Sequence, residues 1–415
     1  MEWKEVRLGD IVEIVNGFAF KSKAFTLDGI PVIKIKNIKA GKVILNDLDY
    51  ISTSDINPKY TKIRSSDILI TMTGNRMDGS PETWVGKVSL FRHQGDFYLN
   101  QRVSALRLID DSVDNNFLSY YLSSWQSQLY FALNSNSSGG QANITPAVVN
   151  EYRLMVPELE TQRCIASILS SLDRKIELNN KINADLEEMA QAIFKNWFVD
   201  FEPFKDGKFV DSELGMIPEG WKVGRADDFY QINIGKTPPR KEHIWFSTNP
   251  ADKIWVSIAN MGNSGIFISD SSEYLTKEAV DRHNIIMVPR NTILLSFKLT
   301  VGRVAIADKE LTTNEAIARF ILSDDKYMEY LYLYLKKYDY NSLGSTSSIA
   351  TAVNSKTIKG MQMLQPSDKI IDAFHIQVNP IFEKIRSLTK ENSRLSLLRD
   401  TLLPRLMSGE LEVPE

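Results

Sequence analysis

The sequence predicts an α+β chain: two repeated globular domains separated by two long helices that pair as an antiparallel coiled coil under a pseudo-twofold axis. Three observations predict this. The chain repeats itself at about half its length, the first part of each copy carries short strand-like runs, and the second part carries an apolar heptad pattern.

The duplication is read from landmarks in one order. Trp3-Lys4, Arg7, Asp10, Ile14 and Gly17 return 218 positions later as Trp221-Lys222, Arg225, Asp228, Ile232 and Gly235. Ile33, Ile35 and Asn37 are echoed by Val256, Ile258 and Asn260, and Tyr50-Ile51 by Tyr274-Leu275. The run Ile68-Leu69-Ile70-Thr71 is echoed by Ile293-Leu294-Leu295-Ser296. Val85-Gly86-Lys87-Val88 returns as Val301-Gly302-Arg303-Val304, and Asn100-Gln101 as Asn314-Glu315. Each copy closes on a proline, Pro157 or Pro366, before a long helical pattern. Such a period is far too long for a solenoid and reads as two copies of one unit.

Five segments follow in order. Residues 1–157 form the first domain, 158–200 the first long helix, 201–220 a connector, 221–366 the second domain, and 367–415 the second long helix with a C-terminal tail. Within the domains, β-branched and aromatic runs predict strands at Val43–Leu45, Ile68–Thr71, Val85–Phe91, Ile254–Ile258, Ile293–Phe297 and Val301–Ala307. Helical spacing of Tyr, Leu and Trp predicts helices at Asn116–Leu133 and Tyr327–Tyr338. Serine- and glycine-rich loops follow at 134–141 and 341–348.

The long helices are predicted by sustained a/d patterns. The first runs through Ile168, Leu172, Lys175, Asn179, Ile182, Leu186, Met189 and Ile193. The second runs through Phe374, Val378, Ile381, Ile385, Leu388, Asn392, Leu395, Arg399, Leu402 and Leu406. Each carries a seam asparagine, Asn179 or Asn392, a device that fixes register at some cost in stability. Pro380 is expected to kink or restart the second helix, since it removes a backbone donor. The alternative is two amphipathic helices, each packed on its own domain. As one helix, Leu159 to Trp197 would span roughly 58 Å, more than one turn of B-DNA at about 34 Å.

Composition excludes several chemistries. The single cysteine, Cys164, forbids an internal disulfide framework and zinc sites built on cysteine pairs. The four histidines, at 93, 243, 283 and 375, stand singly, so no HExxH site is available. There is no GxGxxG after a strand, no P-loop, no GxSxG elbow and no adenine-methylating motif. The chain is expected to be non-catalytic and to hold no metal or cofactor. The opening MEWKEVRLGD has acids where a signal peptide needs a basic and then an apolar stretch, so a cytoplasmic location is expected. The net charge of −3 does not announce a nucleic-acid binder. Locally, however, Lys21, Lys23, Lys34, Lys36, Lys39 and Lys42 face only Asp28 within 21–42.

Across essentially its whole length the chain resembles the specificity subunits of Type I restriction-modification systems. The stretches that carry the resemblance are Asn16-Gly17-Phe18-Ala19-Phe20-Lys21-Ser22, Gly235-Lys236-Thr237-Pro238 and Pro157 to Gln162-Arg163. The connector is the most specific: Phe201-Glu202-Pro203-Phe204, then Asp211-Ser212-Glu213-Leu214-Gly215, then Ile217-Pro218-Glu219-Gly220-Trp221. The ending from Leu402-Leu403-Pro404-Arg405 to Leu411 is similar as well. The resemblance implies two target-recognition domains, each reading one half of a bipartite, asymmetric site in double-stranded DNA. It implies helices that act as ruler and as docking surface for two methyltransferase subunits. S-adenosylmethionine, ATP and Mg would be bound by partner subunits, with restriction/translocase subunits joining through the complex.

The family's base-contacting residues vary, so DNA-binding candidates are chosen by chemistry: side chains that bond purine edges or phosphates from predicted loops. In the first domain they are Lys21, Lys23, Lys36, Arg76, Arg102 and Gln141; in the second, Lys236, Arg240, Lys241, Lys298 and Arg303. Arg76 leads, because its glycine-rich loop from Thr73 to Gly79 occurs in one copy only. Asn100 and Asn314 recur at equivalent positions, where a turn-forming role competes with DNA contact. Two other classes remain open from the residues alone: a coiled-coil scaffold with two protein-binding domains, and a nuclease or transferase with an unrecognised site.

Overall fold

In the computed structural model, which describes residues 3–77, 81–138, 141–343 and 353–413, the chain divides into two units. One comprises Met1–Ile176 with Arg394–Glu415, the other Glu177–Ser393.

The first unit is built on a four-stranded antiparallel sheet in the order Val88–Leu90, Ile68–Thr71, Val103–Leu108, Val12–Asn16. All four residues of Ile68–Thr71 are buried. Alternation explains why an unbroken apolar run suits the strand. Ile68 and Ile70 enter one hydrophobic cluster and Leu69 enters another, so both faces of the sheet are covered. A second sheet has the order Tyr98–Leu99, Ile30–Ile33, Asp49–Ile51, Phe25–Thr26, and its first pair is parallel. Lys4–Arg7 pairs antiparallel with Arg153–Val156, joining the two ends of the domain.

The second unit repeats this plan. Its main sheet holds Val304–Ala307, Ile293–Ser296, Ile317–Ile321 and Gln231–Ile234 in the same order, extended by Phe267–Ile268 parallel to Val304–Ala307. Ile293 and Leu295 again face one cluster and Leu294 another. The second sheet runs Thr312–Thr313, Lys253–Val256, Tyr274–Leu275, Phe246–Ser247, with the parallel pair in the equivalent place. Lys222–Arg225 pairs with Gln362–Gln365 as the closing clamp.

Local differences from the sequence reading have physical causes. The helix expected over Asn116–Leu133 is two helices, Asn115–Leu122 and Trp125–Leu133. Ser124 caps the second, its hydroxyl accepting the Ser127 amide. Of the strand expected at Val43–Leu45 only Val43 is extended, as the second residue of the strand Lys42–Val43. The loop expected at 134–141 holds the strand Asn136–Ser138 and the start of Gln141–Asn143, and residues 139–140 lie outside the described residues. In the loop expected at 341–348, residues 341–343 close the 3-10 turn Tyr340–Leu343, and 344–348 lie outside the described residues.

Both long helices are present, at Leu159–Phe198 and Asp368–Met407. The second helix buries or half-buries every position of its expected heptad register. The first follows its register only in part. Leu172, Asn179, Leu186 and Ile193 face inward, but Lys175 and Met189 are exposed, and Ile176, Asn183 and Ala190 hold the alternate inward positions. The stripe is shifted because the helix also packs on the domains: Ile165, Ala166 and Leu169 join the core of the first unit, while Ala190, Phe194 and Phe198 join that of the second. The second helix is not restarted at Pro380. That proline sits on the exposed side, where its ring meets solvent and only one hydrogen bond is lost.

The two seam asparagines meet within the second unit. Asn179 Nδ2 donates to Asn392 Oδ1 at 2.9 Å, and Asn392 Nδ2 to Asn180 Oδ1 at 2.9 Å. Further along, Phe198 meets Phe374 edge to face at 4.8 Å, so the helices run antiparallel there. In the first unit, Asp173 accepts from Arg399 Nη1 at 2.8 Å and from the Tyr120 hydroxyl at 2.5 Å, tying both helices to the domain. Gln162 locks the start of the first helix by donating to the Pro157 carbonyl at 2.8 Å and accepting the Asp114 amide at 2.8 Å.

The structure supplies a physical demand for the connector motif. Phe201 and Phe204 meet Trp221 edge to face at 5.6 and 5.1 Å, and Trp197 meets Phe204 edge to face at 6.0 Å. The motif is an aromatic plug that fixes where the first long helix ends and the second domain begins.

Two buried polar sites anchor the second long helix to its domain. Asp308, 3% exposed, faces Arg386 at 3.4 Å, Lys390 at 3.3 Å and Arg290 at 3.6 Å. Arg386 is also 3% exposed, lies 4.4 Å over the Phe267 ring, and donates to Asn291 Oδ1 at 2.8 Å. Fully buried Glu329 accepts from Asn379 Nδ2 at 2.9 Å and stands 2.8 Å from His375 Nδ1. Burial lifts the Glu329 carboxyl above its ordinary range, only partly offset by His375 and Asn379.

A carboxyl raised on folding contributes stability below its unfolded value near 4.3 and loses it as pH climbs through the raised value. Glu329→Gln keeps an acceptor for Asn379 without the charge. It is expected to melt with the parent near pH 4 and above it at pH 8. A parent that gains on the variant with rising pH would overturn this.

Candidate nucleic-acid interface

The recurrent glycines, Gly17 and Gly235, and the Asn-(Gln/Glu) landmarks form one repeated structure. In the first unit the Gly17 amide donates to the Val103 carbonyl at 3.2 Å and the Phe18 amide to the Leu99 carbonyl at 2.8 Å. In the second, Gly235 donates to Ile317 at 3.1 Å and Lys236 to Thr313 at 2.8 Å. A Cβ on Gly17 would lie 2.1 Å from the Asn100 carbonyl oxygen, and one on Gly235 1.9 Å from that of Asn314. Only glycine allows that approach. The two asparagines are turn formers: Asn100 Oδ1 accepts the Arg102 amide at 3.4 Å, and Asn314 Oδ1 the Ala316 amide at 3.2 Å.

This junction gathers exposed cations in the first unit. Lys21 and Lys23 stand beside Phe18, Phe20 and Tyr60 along a cleft of ≈ 410 Å³. The rings pack at 4.8–5.1 Å from one another. Arg102 follows on the neighbouring turn, whose Gln101 amide donates to the Phe18 carbonyl at 2.9 Å. The Arg102 carbonyl in turn accepts the Met72 amide at 2.9 Å, joining this turn to the strand Thr73–Gly74. That strand pairs with Gln141–Asn143 in a three-stranded sheet, bringing Arg76 and Gln141 to one end of it. Both side chains are exposed, and Arg76 makes no ion pair among the described residues. Asp78 and Gly79 of its loop lie outside the described residues.

Lys36 is placed differently. Its amine pairs with Asp47 at 2.9 Å and Asp49 at 3.1 Å, while Lys34 pairs with Asp49 at 3.0 Å and lies 3.5 Å over the Phe25 ring. Burial would raise the Asp49 carboxyl, but the hydrogen bonds and charges of Lys34 and Lys36 outweigh it and hold it low. Part of the lysine run is thus neutralised by acids that follow it in the chain.

In the second unit Arg240 pairs with Glu273 at 2.8 Å and lies 4.3 and 4.5 Å over Phe246 and Trp255, so its guanidinium is stacked and oriented. Lys241 is exposed beside it. Lys236 donates to the His283 carbonyl at 2.6 Å. Lys298 and Arg240 both act on Glu315, which accepts from the Thr237 hydroxyl. Burial would raise that carboxyl, but the Thr237 bond, its own backbone amide and the two cations keep it ionised below its ordinary range. Arg303 turns inward instead, donating to the Ile258 carbonyl at 2.8 Å against Gly262.

The aromatic cluster beside Lys21, the Thr237–Glu315 pair and Glu273 were missed by sequence reasoning. The alternation Phe18-Ala19-Phe20 was the signal for the first; the others join residues 33 or more positions apart.

Comparison with known proteins agrees with the repeat. The family described as the Type I restriction modification DNA specificity domain matches residues 1–188 and 218–375. The HindI specificity subunit of Haemophilus influenzae is 29% identical over 480 residues, covering 99% of this chain and 100% of that protein. The MjaIX specificity subunit of Methanocaldococcus jannaschii is 28% identical over 426 residues, covering 100% and 94%. A solved Type I system S subunit from M. genitalium shares the fold with a TM-score of 0.55 at 15% identity, covering 98% of this chain and 96% of that one. With a doubled sheet plan, a repeated Gly–Asn junction and a family match to both copies, the chain belongs to the Type I restriction-modification specificity subunits, the non-catalytic members of those complexes.

Proposed function

We propose that each domain reads one half of a bipartite, asymmetric site in double-stranded DNA. The long helices would set the spacing between the halves and dock two methyltransferase subunits. The observation that carries this is one sheet plan used twice with unlike loops at the equivalent place. Between the strand ending at Thr71 and Val85 stands the long Arg76 segment, whereas only Phe297 to Thr300 separates Ser296 from Val301. Equal scaffolds with unequal cationic loops suit two different half-sites. Helices of 40 residues each, roughly 60 Å, are long enough for a spacer of more than one duplex turn. In this reading S-adenosylmethionine, ATP and Mg belong to partner subunits, restriction subunits join through the complex, and the assembly works in the cytoplasm.

The test is a single-molecule methylome of the host with the gene intact and deleted. Loss of one bipartite N6-methyladenine motif is expected, and a host that keeps every motif overturns the reading. Within that site, Arg76→Ala is expected to cost about 1–3 kcal/mol and to relax one base of one half-site. Binding assays on single-base variants of the target check this. Uniform weakening on all of them would make Arg76 a phosphate contact.

A further inference from the structure

Leu299 contributes nothing to the core, being 100% exposed. Its φ of 62° lies in the left-handed region, which an L-residue with an apolar side chain enters only under constraint. The Thr300 amide donates to the Lys298 carbonyl at 2.6 Å, closing a three-residue γ-turn with Leu299 at its apex.

The base of the loop imposes this shape. Fully buried Ser296 donates its hydroxyl to the Thr300 carbonyl at 2.6 Å and accepts the Arg303 amide at 3.1 Å. The Gly302 amide returns to the Ser296 carbonyl at 3.0 Å. A rigid base therefore presents a strained, apolar tip. The tip stands among the interface residues, because the Phe297 amide donates to the Ala316 carbonyl at 3.0 Å, next to Glu315. Lys298 and Arg240 both act on that glutamate.

We propose that Leu299 is an apolar wedge that enters a step between stacked base pairs in the half-site bound by the second unit, with Lys298 on the adjoining phosphate. This rests on the DNA-recognition reading above. The surroundings favour DNA over a protein partner. Leu299 and the less exposed Val301 stand among exposed Lys298 and Thr300, too narrow an apolar surface for a protein face. One projecting aliphatic side chain with a cation beside it matches the way proteins part a base step.

The test uses the complete complex of this chain with its methyltransferase subunits, on duplexes carrying 2-aminopurine at successive positions of the half-site. The parent is expected to raise the fluorescence at one step. Leu299→Ala should lose that rise and weaken binding to the target about tenfold while leaving non-specific binding unchanged. Leu299→Met should retain both, which separates a wedge from a structural role. Leu299→Gly removes the side chain and relieves the positive φ, so it should lose the rise yet melt higher than the parent. If the parent complex binds its target tightly and no position responds to residue 299, the wedge is overturned and DNA recognition stands. A complex without sequence-specific binding overturns the recognition reading itself.

Discussion

Replacing Gly235 by alanine is expected to destabilise the second unit by about 3 kcal/mol and to remove recognition of one half-site. The new methyl would sit 1.9 Å from the Asn314 carbonyl oxygen and 2.4 Å from that of Thr313, with the Thr313 hydroxyl at 2.2 Å. Two of the three obstacles are backbone, so no side-chain rotation relieves them. One of two chain segments must retreat, and both carry interface candidates: Lys236 and Arg240 on one side, the turn beside Lys298 on the other. Gly265→Ala is the control, since nothing lies within 4 Å of its added carbon. Thermal melts of the assembled complex and binding to single-half-site variants read both effects. A Gly235→Ala protein as stable as the control, with its half-site still recognised, would show that the junction is dispensable.

Asp308→Ala is expected to cost about 3 kcal/mol, because it leaves the buried Arg386 guanidinium facing only the half-exposed Glu383 carboxylate at 3.4 Å. Of the three cations around Asp308, Lys390 and Arg290 are about half exposed and can turn to water, but Arg386 at 3% exposure cannot. The penalty therefore concentrates on one guanidinium. The reciprocal change, Arg386→Met, leaves Asp308 with two cations and should cost less. The double variant Asp308→Ala with Arg386→Met removes both buried charges and should recover much of the loss. A double-mutant cycle by denaturant unfolding measures the coupling, and additive losses would refute it.

Much of the fold was legible because it rests on local periodicity and on order. Ile68-Leu69-Ile70-Thr71 and its echo announced two central strands, and the seam asparagines announced where the helices meet. Register in the first helix was less legible. A heptad reading assumes one partner surface, whereas Ile176 and Ala190 answer to a stripe that the domains also shape. The site was the least legible part, because its electrostatics are made by folding. Lys36 reads as part of a bare lysine run until Asp47 and Asp49 are folded against it. Arg240 meets Glu273 only once the second sheet forms, and nothing in the letters around Leu299 announces a positive φ.

The membership of the first unit has a consequence for how the protein is made. Leu406, Met407 and Val413 share its core with Leu8, Ile165 and Leu169, yet the ribosome delivers them only after the whole second unit. The intervening Glu177–Ser393 takes about 10–40 s to synthesise at ordinary elongation rates. Through that interval the nascent first domain carries an uncovered apolar flank, a natural client for a chaperone. A stop between Ser393 and Leu406 would then damage the first unit, while the second already holds all its parts.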